Sequence, residues 1–342
     1  MSKMTIYKLA QMLDMTPSMV SRAFSPSGKV SPEKRELILE TARKYDFVPN
    51  KMASRLSMKS ISIGIVINTS FKINADKMVR GIEAAYENLK DYKISYDITL
   101  LENAKENDEN CRNALLNYAD YDGVIIAGFS ADRYKDAINE LYAKNHNVVQ
   151  VQAINENADY LFASKHNEAT ASEVAAEFLY NCLKRSESKN ILLFIGDPES
   201  LLHIRAKAAF EKACEAFGLN IIETVSTKGS EERLKTETAL AFKKHNGKID
   251  GIYSTSGFSY PVCEYLESEK KEVDFVAFDT HDQIKNYLKK GFISATISQD
   301  ITSQMQSAFE KLVMHIINGE TPEKTVYTDV QLVLKSNMHL FS

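Results

Sequence analysis

The chain has 342 residues, a net charge of −4 and 44% hydrophobic residues, enough apolar material for two or three domains of roughly 150 residues each. No apolar run approaches the roughly 20 residues of a membrane span, and the N-terminal segment lacks the apolar region of a signal peptide. These features argue against a membrane-spanning or exported protein, so we expect a cytoplasmic one.

Charge is distributed unevenly along the chain. Residues 1–60 contain eleven Lys and Arg against five Asp and Glu, a net charge of +6 that leaves −10 for the rest. A basic head on an acidic body is typical of a polyanion-binding module joined to a second domain. A solvated charged surface without such a partner is the alternative that charge alone leaves open.

The basic segment predicts three short helices. Thr5 is the expected N-cap of the first, Asp14 marks a tight turn, and Thr16-Pro17 and Ser31-Pro32 begin the second and third helices. Apolar residues recur at helical spacing, which predicts a buried face formed by Ile6, Leu9, Ala10, Leu13, Val20, Ala23, Phe24, Ile38, Ala42 and Tyr45. Two short helices with a third behind them form a helix-turn-helix, whose second helix enters the major groove of DNA.

The outer face of the second helix has side chains suited to DNA. The hydroxyls of Ser18 and Ser21 can bond base edges or phosphates, Arg22 can bind guanine through two hydrogen bonds, and Pro17 lies beside them. A three-helix bundle without a role in DNA binding is the alternative at this stage.

A short segment follows at residues 48–59, with at most about two and a half helical turns after Pro49, too few for a helix that is stable in isolation. Its apolar face, Met52, Ala53 and Leu56, suits pairing with a second copy. Leu56 could also act as a wedge in the minor groove, with flanking cations on the phosphates.

Both segments, TIYKLAQMLDMTPSMVSRAFS and VSPEKRELILETARKYDFVPNKMASRL, resemble the headpiece and hinge of the LacI/GalR family of bacterial regulators. The resemblance runs without gaps through about sixty residues and includes Val20-Ser21-Arg22, Val30-Ser31 and Pro49-Asn50. It implies that DNA is contacted by Thr5, Tyr7, Pro17, Ser18, Ser21, Arg22, Ser31, Asn50, Ala53, Arg55 and Leu56. The chain departs from the family pattern at Asp14, Ser25 and Met58, the last of which replaces a frequent hinge glycine.

From Ile61 the pattern changes to β-branched runs that alternate with amphipathic helices. Strands are predicted at residues 61–67, 95–101, 123–127, 148–151, 191–195, 221–225, 251–254 and 275–278. This alternation predicts an α/β fold with two doubly wound parallel-sheet lobes, preceded by a small all-α helix-turn-helix domain.

This half of the chain also resembles the type I periplasmic-binding-protein fold, in which a ligand lies between two lobes joined by three crossovers. The resemblance implies a headpiece at 1–48, a hinge at 49–60 and an effector-binding and dimerisation domain at 61–342. The first lobe would comprise about 61–162 and 294–326, and the second about 163–293 and 327–342.

Ligands of open α/β sheets bind beyond the carboxyl ends of the strands. That rule nominates as effector-binding residues Asn68, Phe71, Phe129, Gln152, Asn167, Arg205, Ser256, Asp279 and Gln299. Alternative roles are turn residues for Asn68 and Asn167, core or loop packing for Phe71 and a surface charge for Arg205.

Several positions that bind the ligand in the family differ in this chain. Gln152-Ala153 replaces a common Asp-Arg, Ala206 stands where a ligand-binding arginine is usual, and Ser256-Gly257 replaces a common Asn-Asp. Thr296–Asp300 instead looks like the sugar-binding branch of the periplasmic proteins. A carbohydrate is therefore the expected effector class.

Enzymatic activity is not expected. The sequence has no strand-associated GxGxxG, no GxxxxGK[ST], no GxSxG and no HExxH, and its seven histidines are isolated. Four scattered cysteines without a CxxC pair predict buried thiols rather than disulfides or a zinc site. We therefore expect neither a cofactor nor a metal.

The combined interpretation is a sequence-specific transcriptional regulator, a repressor, whose affinity for a pseudo-palindromic double-stranded DNA operator is controlled by a bound sugar. Only one residue follows Phe341, so no C-terminal heptad is available for a tetramer, and we expect a homodimer. The alternative is a stand-alone solute or sugar receptor without a DNA function.

Overall fold

A computed structural model describes residues 4–24, 29–45, 47, 59–69, 72–102, 108–198, 200–226 and 230–341. These residues form a small helical domain followed by two α/β lobes. The predicted hinge contacts Asn50, Ala53, Arg55 and Leu56, and the effector candidate Phe71, lie outside the described residues.

The helical domain contains α1 (Ile6–Met12), α2 (Pro17–Ala23) and α3 (Pro32–Lys44). The hydroxyls of Thr5 and Thr16 accept hydrogen bonds of 3.3 Å from the amides of Lys8 and Met19, which satisfies donors in the first turns of α1 and α2. Asp14 has a φ of +51° in the turn between these helices. Ser31 precedes α3, but its side chain makes no capping hydrogen bond.

The core of this domain follows the predicted apolar stripe with one exception. Fully buried side chains come from all three helices: Leu9, Ala10, Val20, Ala23, Ile38 and Ala42. Tyr45, predicted to be buried, is 41% exposed because α3 ends at Lys44 and Tyr45 is already its C-cap. Phe47 instead packs against Phe24, with the ring centroids 5.7 Å apart.

The two lobes are built from alternating strands and helices. The chain first forms β1 (Ile61–Asn68), α4 (Lys72–Asn88), β2 (Ile94–Leu101), α5 (Asp108–Leu116), β3 (Gly123–Ala127), α6 (Lys135–Lys144), β4 (Val148–Val151) and β5 (Phe162–His166). It continues with α7 (Glu168–Cys182), β6 (Asn190–Ile195), α8 (Leu201–Phe217), β7 (Asn220–Ser226), α9 (Glu231–Lys244), β8 (Gly251–Ser254), α10 (Tyr260–Ser268), β9 (Asp274–Phe278), α11 (Asp282–Lys290) and β10 (Ala295–Ser298). The last elements are α12 (Ile301–Asn318), β11 (Thr325–Thr328) and β12 (Gln331–Val333).

Each lobe has one six-stranded sheet, so the predicted fold class is confirmed. The first sheet has the order β11-β5-β4-β3-β1-β2 and is parallel throughout. The second has the order β12-β10-β9-β8-β6-β7, and only β12 runs antiparallel to its neighbour. Helices cover both faces of each sheet and bury two apolar clusters per lobe.

Three crossovers join the lobes, and each lies a few residues after the lobe boundary predicted from the sequence. The chain passes between lobes from β5 to α7, from β10 to α12 and from β11 to β12. The predicted limit at 294 is wrong because β10 pairs with β9 and β12 of the second lobe, while α12 packs on α4 in the first. The limits at 163 and 327 are likewise early, since β5 and β11 pair with each other along their whole lengths.

The packing of α4 on α12 depends on a glycine. A Cβ at Gly81 would lie 2.4 Å from the carbonyl oxygen of Thr302, closer than atoms of these types can approach. Glycine therefore lets the two helices pack at short range beside β1. Within the described ranges, no helix is both long and apolar enough to cross a bilayer.

Candidate functional site: a cavity between the lobes

A cavity of about 400 Å³ lies where the carboxyl ends of both sheets face each other. Five of the predicted effector-binding residues line it, namely Asn68, Gln152, Ser256, Asp279 and Gln299. Further lining residues come from both lobes and include Asn74, Met78, Ser130, Arg133, Tyr134, Asp197, Leu202, His203, Thr255, Phe258, Phe278 and His281. The wall thus combines hydrogen-bonding groups with aromatic rings, as small-molecule sites do.

Asp279 and Gln299 form the polar centre of the second-lobe wall. Asp279 follows β9 directly with a φ of +69°, and its amide donates to the carbonyl of Ile297 at 2.8 Å. Its carboxylate accepts a hydrogen bond of 2.7 Å from Nε2 of Gln299. Since carboxylate oxygens accept, the amide of Gln299 must direct its nitrogen to Asp279 and its oxygen away from it.

The oxygen of that amide lacks a hydrogen bond. Gln299 is only 5% exposed, and among the described residues no donor lies within hydrogen-bond distance of its Oε1. A buried acceptor without a partner is costly. Because this oxygen has almost no accessible surface, it reaches a ligand only if the Gln299 side chain moves.

The first lobe contributes backbone turns with positive φ. Gln152 has a φ of +67° after β4, and its amide donates to the carbonyl of Ser164 at 2.9 Å. Asn68 lies at the end of β1, and its Nδ2 donates to the carbonyl of Gly128 at 3.0 Å. Asn68 thus ties together the loops that follow β1 and β3, consistent with the alternative that it is a turn residue.

His203, on the first turn of α8, is a lining residue that sequence reasoning did not identify. Its Nδ1 lies 2.9 Å from Oγ1 of Thr255, and its ring lies so close to Gly196 that a Cβ there would be 2.3 Å from Nε2. Burial lowers the pKa of His203 to about 4, so the ring is neutral at physiological pH.

Arg133 and Tyr134 were also missed. They lie in a 3-10 turn after β3, where a guanidinium nitrogen of Arg133 donates to the Tyr134 hydroxyl at 2.8 Å. Burial raises the pKa of Tyr134. The search for residues at strand ends did not find Arg133 and Tyr134 because both lie several residues beyond the end of β3. Only the polar and aromatic composition of the loop indicated that they could contact a ligand. Across the described part of the chain, no three His, Cys, Asp or Glu side chains are grouped to hold a metal ion.

Three predicted effector contacts lie elsewhere. Phe129 is 1% exposed and packs edge-on against Tyr134 in the core of the first lobe. Asn167 caps α7, where its Oδ1 accepts from the amides of Ala169 and Thr170 at 3.0 and 3.2 Å. Arg205 lies outside the cavity wall and forms a two-bond ion pair with Glu156.

One hydrogen bond links the lobes at the cavity mouth. Nζ of Lys77, on α4 of the first lobe, donates to Oγ1 of Thr280 in the second lobe at 3.2 Å. Burial lowers the pKa of Lys77, and nearby Asp279 opposes that shift. The lobes are therefore in contact in front of the cavity as well as at the crossovers behind it.

Most DNA-binding candidates of the helical domain are accessible to solvent. Thr5, Tyr7, Ser18, Ser21, Arg22 and Ser31 are exposed and Pro17 is half-buried. The hydroxyl of Ser18 lies 3.0 Å from that of the capping residue Thr16. Burial of Val20 and Ala23 orients the opposite face of α2, with Ser18, Ser21 and Arg22, toward solvent.

Comparison with known proteins gives related sequences and folds. Residues 63–321 match the model of the family described as "Periplasmic binding protein domain". The HTH-type transcriptional regulator pepR1 from Lactobacillus delbrueckii subsp. lactis is 22% identical over 265 residues, 72% of this chain and 76% of that protein. Catabolite control protein A from Staphylococcus xylosus is 28% identical over 138 residues, 40% of this chain and only 41% of that relative's length.

Solved structures share the two-lobed fold. An ABC transporter solute-binding protein from Burkholderia graminis, in complex with D-arabinose, has a TM-score of 0.73 at 18% identity and covers 83% of this chain and 100% of its own. A protein described as a LacI transcriptional regulator from Bacteroides fragilis has a TM-score of 0.68 at 19% identity, with the same coverage of both chains. At these identities the likeness is one of fold.

Proposed function

Because the chain belongs to the family of periplasmic binding protein domains and its first sixty residues resemble a LacI/GalR headpiece, we propose that it is a sequence-specific DNA-binding transcriptional regulator. A small molecule in the interlobe cavity controls its affinity for an operator. The observation that carries this proposal is the exposed Ser18, Ser21 and Arg22 face of α2, in the same chain as the cavity. The relationship to pepR1, which spans most of both chains, supports it.

The proposed effector is a carbohydrate. Asp279 supplies acceptors for sugar hydroxyls, and the rings of Tyr134, Phe258 and Phe278 supply surfaces for the apolar face of a pyranose or furanose. Several proteins with this fold are sugar-binding proteins, which supports the same class. Since the chain belongs to a family of binding domains, it is not an enzyme.

The proposed active species is a cytoplasmic homodimer that acts as a repressor at a pseudo-palindromic operator. Arg22 reads a base pair, Thr5, Tyr7 and Ser31 bind phosphates, and the hinge residues reach the minor groove. A change in the relative pose of the lobes alters the spacing of the two hinges, and this links effector binding to DNA binding.

The experiment that tests the proposal is selection of bound DNA from a random pool by the full-length protein, repeated at two salt concentrations. A two-fold symmetric motif should be enriched, and binding should weaken with salt as counterions are released from phosphates. Arg22→Ala should cost about 1–3 kcal/mol and relax preference at one position per half-site. Lys243→Ala, which removes one exposed charge from α9, is the control and should leave the motif unchanged. Failure to enrich any motif, with or without a mixture of sugars, would refute the regulator proposal.

A stand-alone sugar receptor is the second candidate, favoured by the solute-binding proteins that share the fold. Deletion of residues 1–60 distinguishes the two. A receptor would keep every activity after the deletion, whereas a regulator would lose operator binding and keep sugar binding, as judged by calorimetry against a panel of monosaccharides.

A further inference from the structure

We propose that four charged side chains at the crossovers, Glu156, Lys165, Glu168 and Arg205, hold the two lobes in the relative pose seen here and thereby restrict opening of the cavity. We call them the crossover charge network. The inference concerns the molecule without effector or DNA, so it stands independently of the proposed function.

The crossover charge network spans both lobes. Lys165 lies on β5 and Glu156 in the loop before it, both in the first lobe, whereas Glu168 begins α7 and Arg205 lies on α8 of the second lobe. Nζ of Lys165 donates to the two carboxylate oxygens of Glu168 at 2.9 and 3.3 Å and lies 3.7 Å from a carboxylate oxygen of Glu156. Arg205 binds the carboxylate of Glu156 through both terminal nitrogens.

Burial makes the Lys165–Glu168 pair difficult to separate, because both side chains are only 7% exposed. A buried charge that loses its partner is strongly destabilised. The Arg205 guanidinium also holds the pKa of the Glu156 carboxyl below its usual range, so the pair stays charged at neutral pH.

Only one of the pairs is sensitive to the pose of the lobes. Lys165 and Glu168 are three residues apart on either side of a crossover, so they can stay together as the lobes rotate. Glu156 and Arg205 are 49 residues apart and belong to different lobes, so a rotation about the crossovers changes the geometry of their contact. Their two parallel hydrogen bonds therefore favour one interlobe angle.

The crossover charge network is adjacent to the ligand cavity. All four of its members line a small cavity of about 10 Å³, together with Gln152 and Leu202, which also line the large cavity. Glu156 lies four residues after Gln152, in the same loop. A ligand that moves Gln152 would thus act directly on the loop that positions the Glu156 carboxylate.

This arrangement explains why Arg205 does not reach the cavity. The family resemblance places a ligand-binding arginine at the position of Ala206, which is 5% exposed on α8. The neighbouring Arg205 extends instead toward Glu156. In this chain the guanidinium on α8 contacts the other lobe and not the ligand cavity.

The test measures the distance between the lobes in the full-length, effector-free protein. Spin labels are placed at Glu83→Cys on α4 and Lys289→Cys on α11, two exposed positions on helices that flank the Lys77–Thr280 contact, in a Cys182→Ser background. Labelled protein is diluted with excess unlabelled protein, so that only distances within one chain are recorded by double electron–electron resonance. Glu156→Gln removes the charge of one partner with little change in shape, and Arg205→Gln removes the guanidinium of the other partner.

A matched control exists within one lobe. Arg112 binds Glu140 through two hydrogen bonds of 2.8 Å, and the side-chain exposures of 49% and 32% resemble the 44% and 29% of Arg205 and Glu156. Both partners of the control pair belong to helices of the first lobe. Glu140→Gln therefore removes an equivalent ion pair without touching the lobe–lobe contact.

Glu156→Gln and Arg205→Gln should each raise the ratio of a longer-distance population to the short one by roughly two- to fivefold, as expected for a partly exposed ion pair. The double variant should resemble either single variant. Glu140→Gln should give the wild-type distribution. Wild-type protein in about 1 M salt, where the Debye length is about 3 Å, should shift in the same direction.

An unchanged distance distribution in Glu156→Gln would overturn the proposal, as would an equal change in Glu140→Gln. Should Glu156→Gln fail to fold, the salt titration of the wild-type protein decides instead, because it needs no substitution. Absence of any shift in salt would then count against the crossover charge network.

Discussion

The neutral imidazole in the cavity wall leads to a quantitative prediction of pH dependence. Burial lowers the pKa of His203 from 6.5 to about 4 in the folded protein. The unfolded chain therefore binds a proton at this residue more readily than the folded chain does. The contribution of the neutral His203 ring to the free energy of unfolding is fully present above pH about 6.5. It is lost as the pH falls from there toward about 4.

The size of the effect follows from the two pKa values. Between pH 7 and pH 5 the unfolded chain binds a proton at His203 that the folded chain does not. This difference lowers the free energy of unfolding by about 2 kcal/mol over that interval. Other titrating groups add their own pH dependence, but they are common to the wild type and to a variant that lacks only this imidazole. His203→Gln should therefore lose about 2 kcal/mol less than the wild type over this interval.

The assay is urea unfolding followed by far-UV circular dichroism at pH 7 and pH 5. His339→Gln, at an exposed position near the end of the chain, is the control and should lose as much stability as the wild type. Equal losses in the wild type and His203→Gln would refute the reasoning, since they would mean that the folded state does not resist protonation of this ring.

Three further substitutions test the helix contact, the headpiece and the cavity. Gly81→Ala should lower the unfolding free energy by about 1–3 kcal/mol through overpacking against Thr302, although alanine favours a helix by about 1 kcal/mol. A melting temperature equal to that of the wild type would contradict this prediction. Thr16→Ala should cost the headpiece about 1 kcal/mol through loss of its cap and weaken operator binding in gel-shift assays without affecting sugar binding; unchanged DNA affinity would contradict it. Gly257→Ala places a Cβ 2.5 Å from Oδ2 of Asp279, so the Asp279 carboxylate must move. Calorimetry should then show sugar binding that is roughly tenfold to a hundredfold weaker, at an unchanged melting temperature. Unchanged affinity would show that Asp279 does not bind the sugar.

Local patterns predicted the helical domain because its determinants are local. The Thr16 hydroxyl and the Pro17 ring act within one helical turn, and the left-handed Asp14 needs only its own backbone. The buried strands β1 and β3 were equally predictable, since continuous β-branched runs are typical of parallel sheets covered on both faces.

Strands without an apolar run were missed. All five residues of β5 are buried, yet its sequence, Phe-Ala-Ser-Lys-His, has a lysine and a histidine at its end. The charge of Lys165 is tolerated there because the carboxylates of Glu168, in the second lobe, and Glu156 lie beside it. The same omission placed the predicted lobe limits at 163 and 327, which fall inside β5 and β11.

The sequence by itself determined the kind of most elements, the buried face of most of them and the strand ends at which a ligand site would form. Hydrophobic periodicity and capping suffice for this because they act over a few residues. Tertiary structure alone decided that Arg205 pairs with Glu156, that Asn167 caps a helix and that His203 lines the cavity. These roles depend on which distant side chain lies within hydrogen-bond distance, and that is set by the packing of the lobes and not by spacing along the chain.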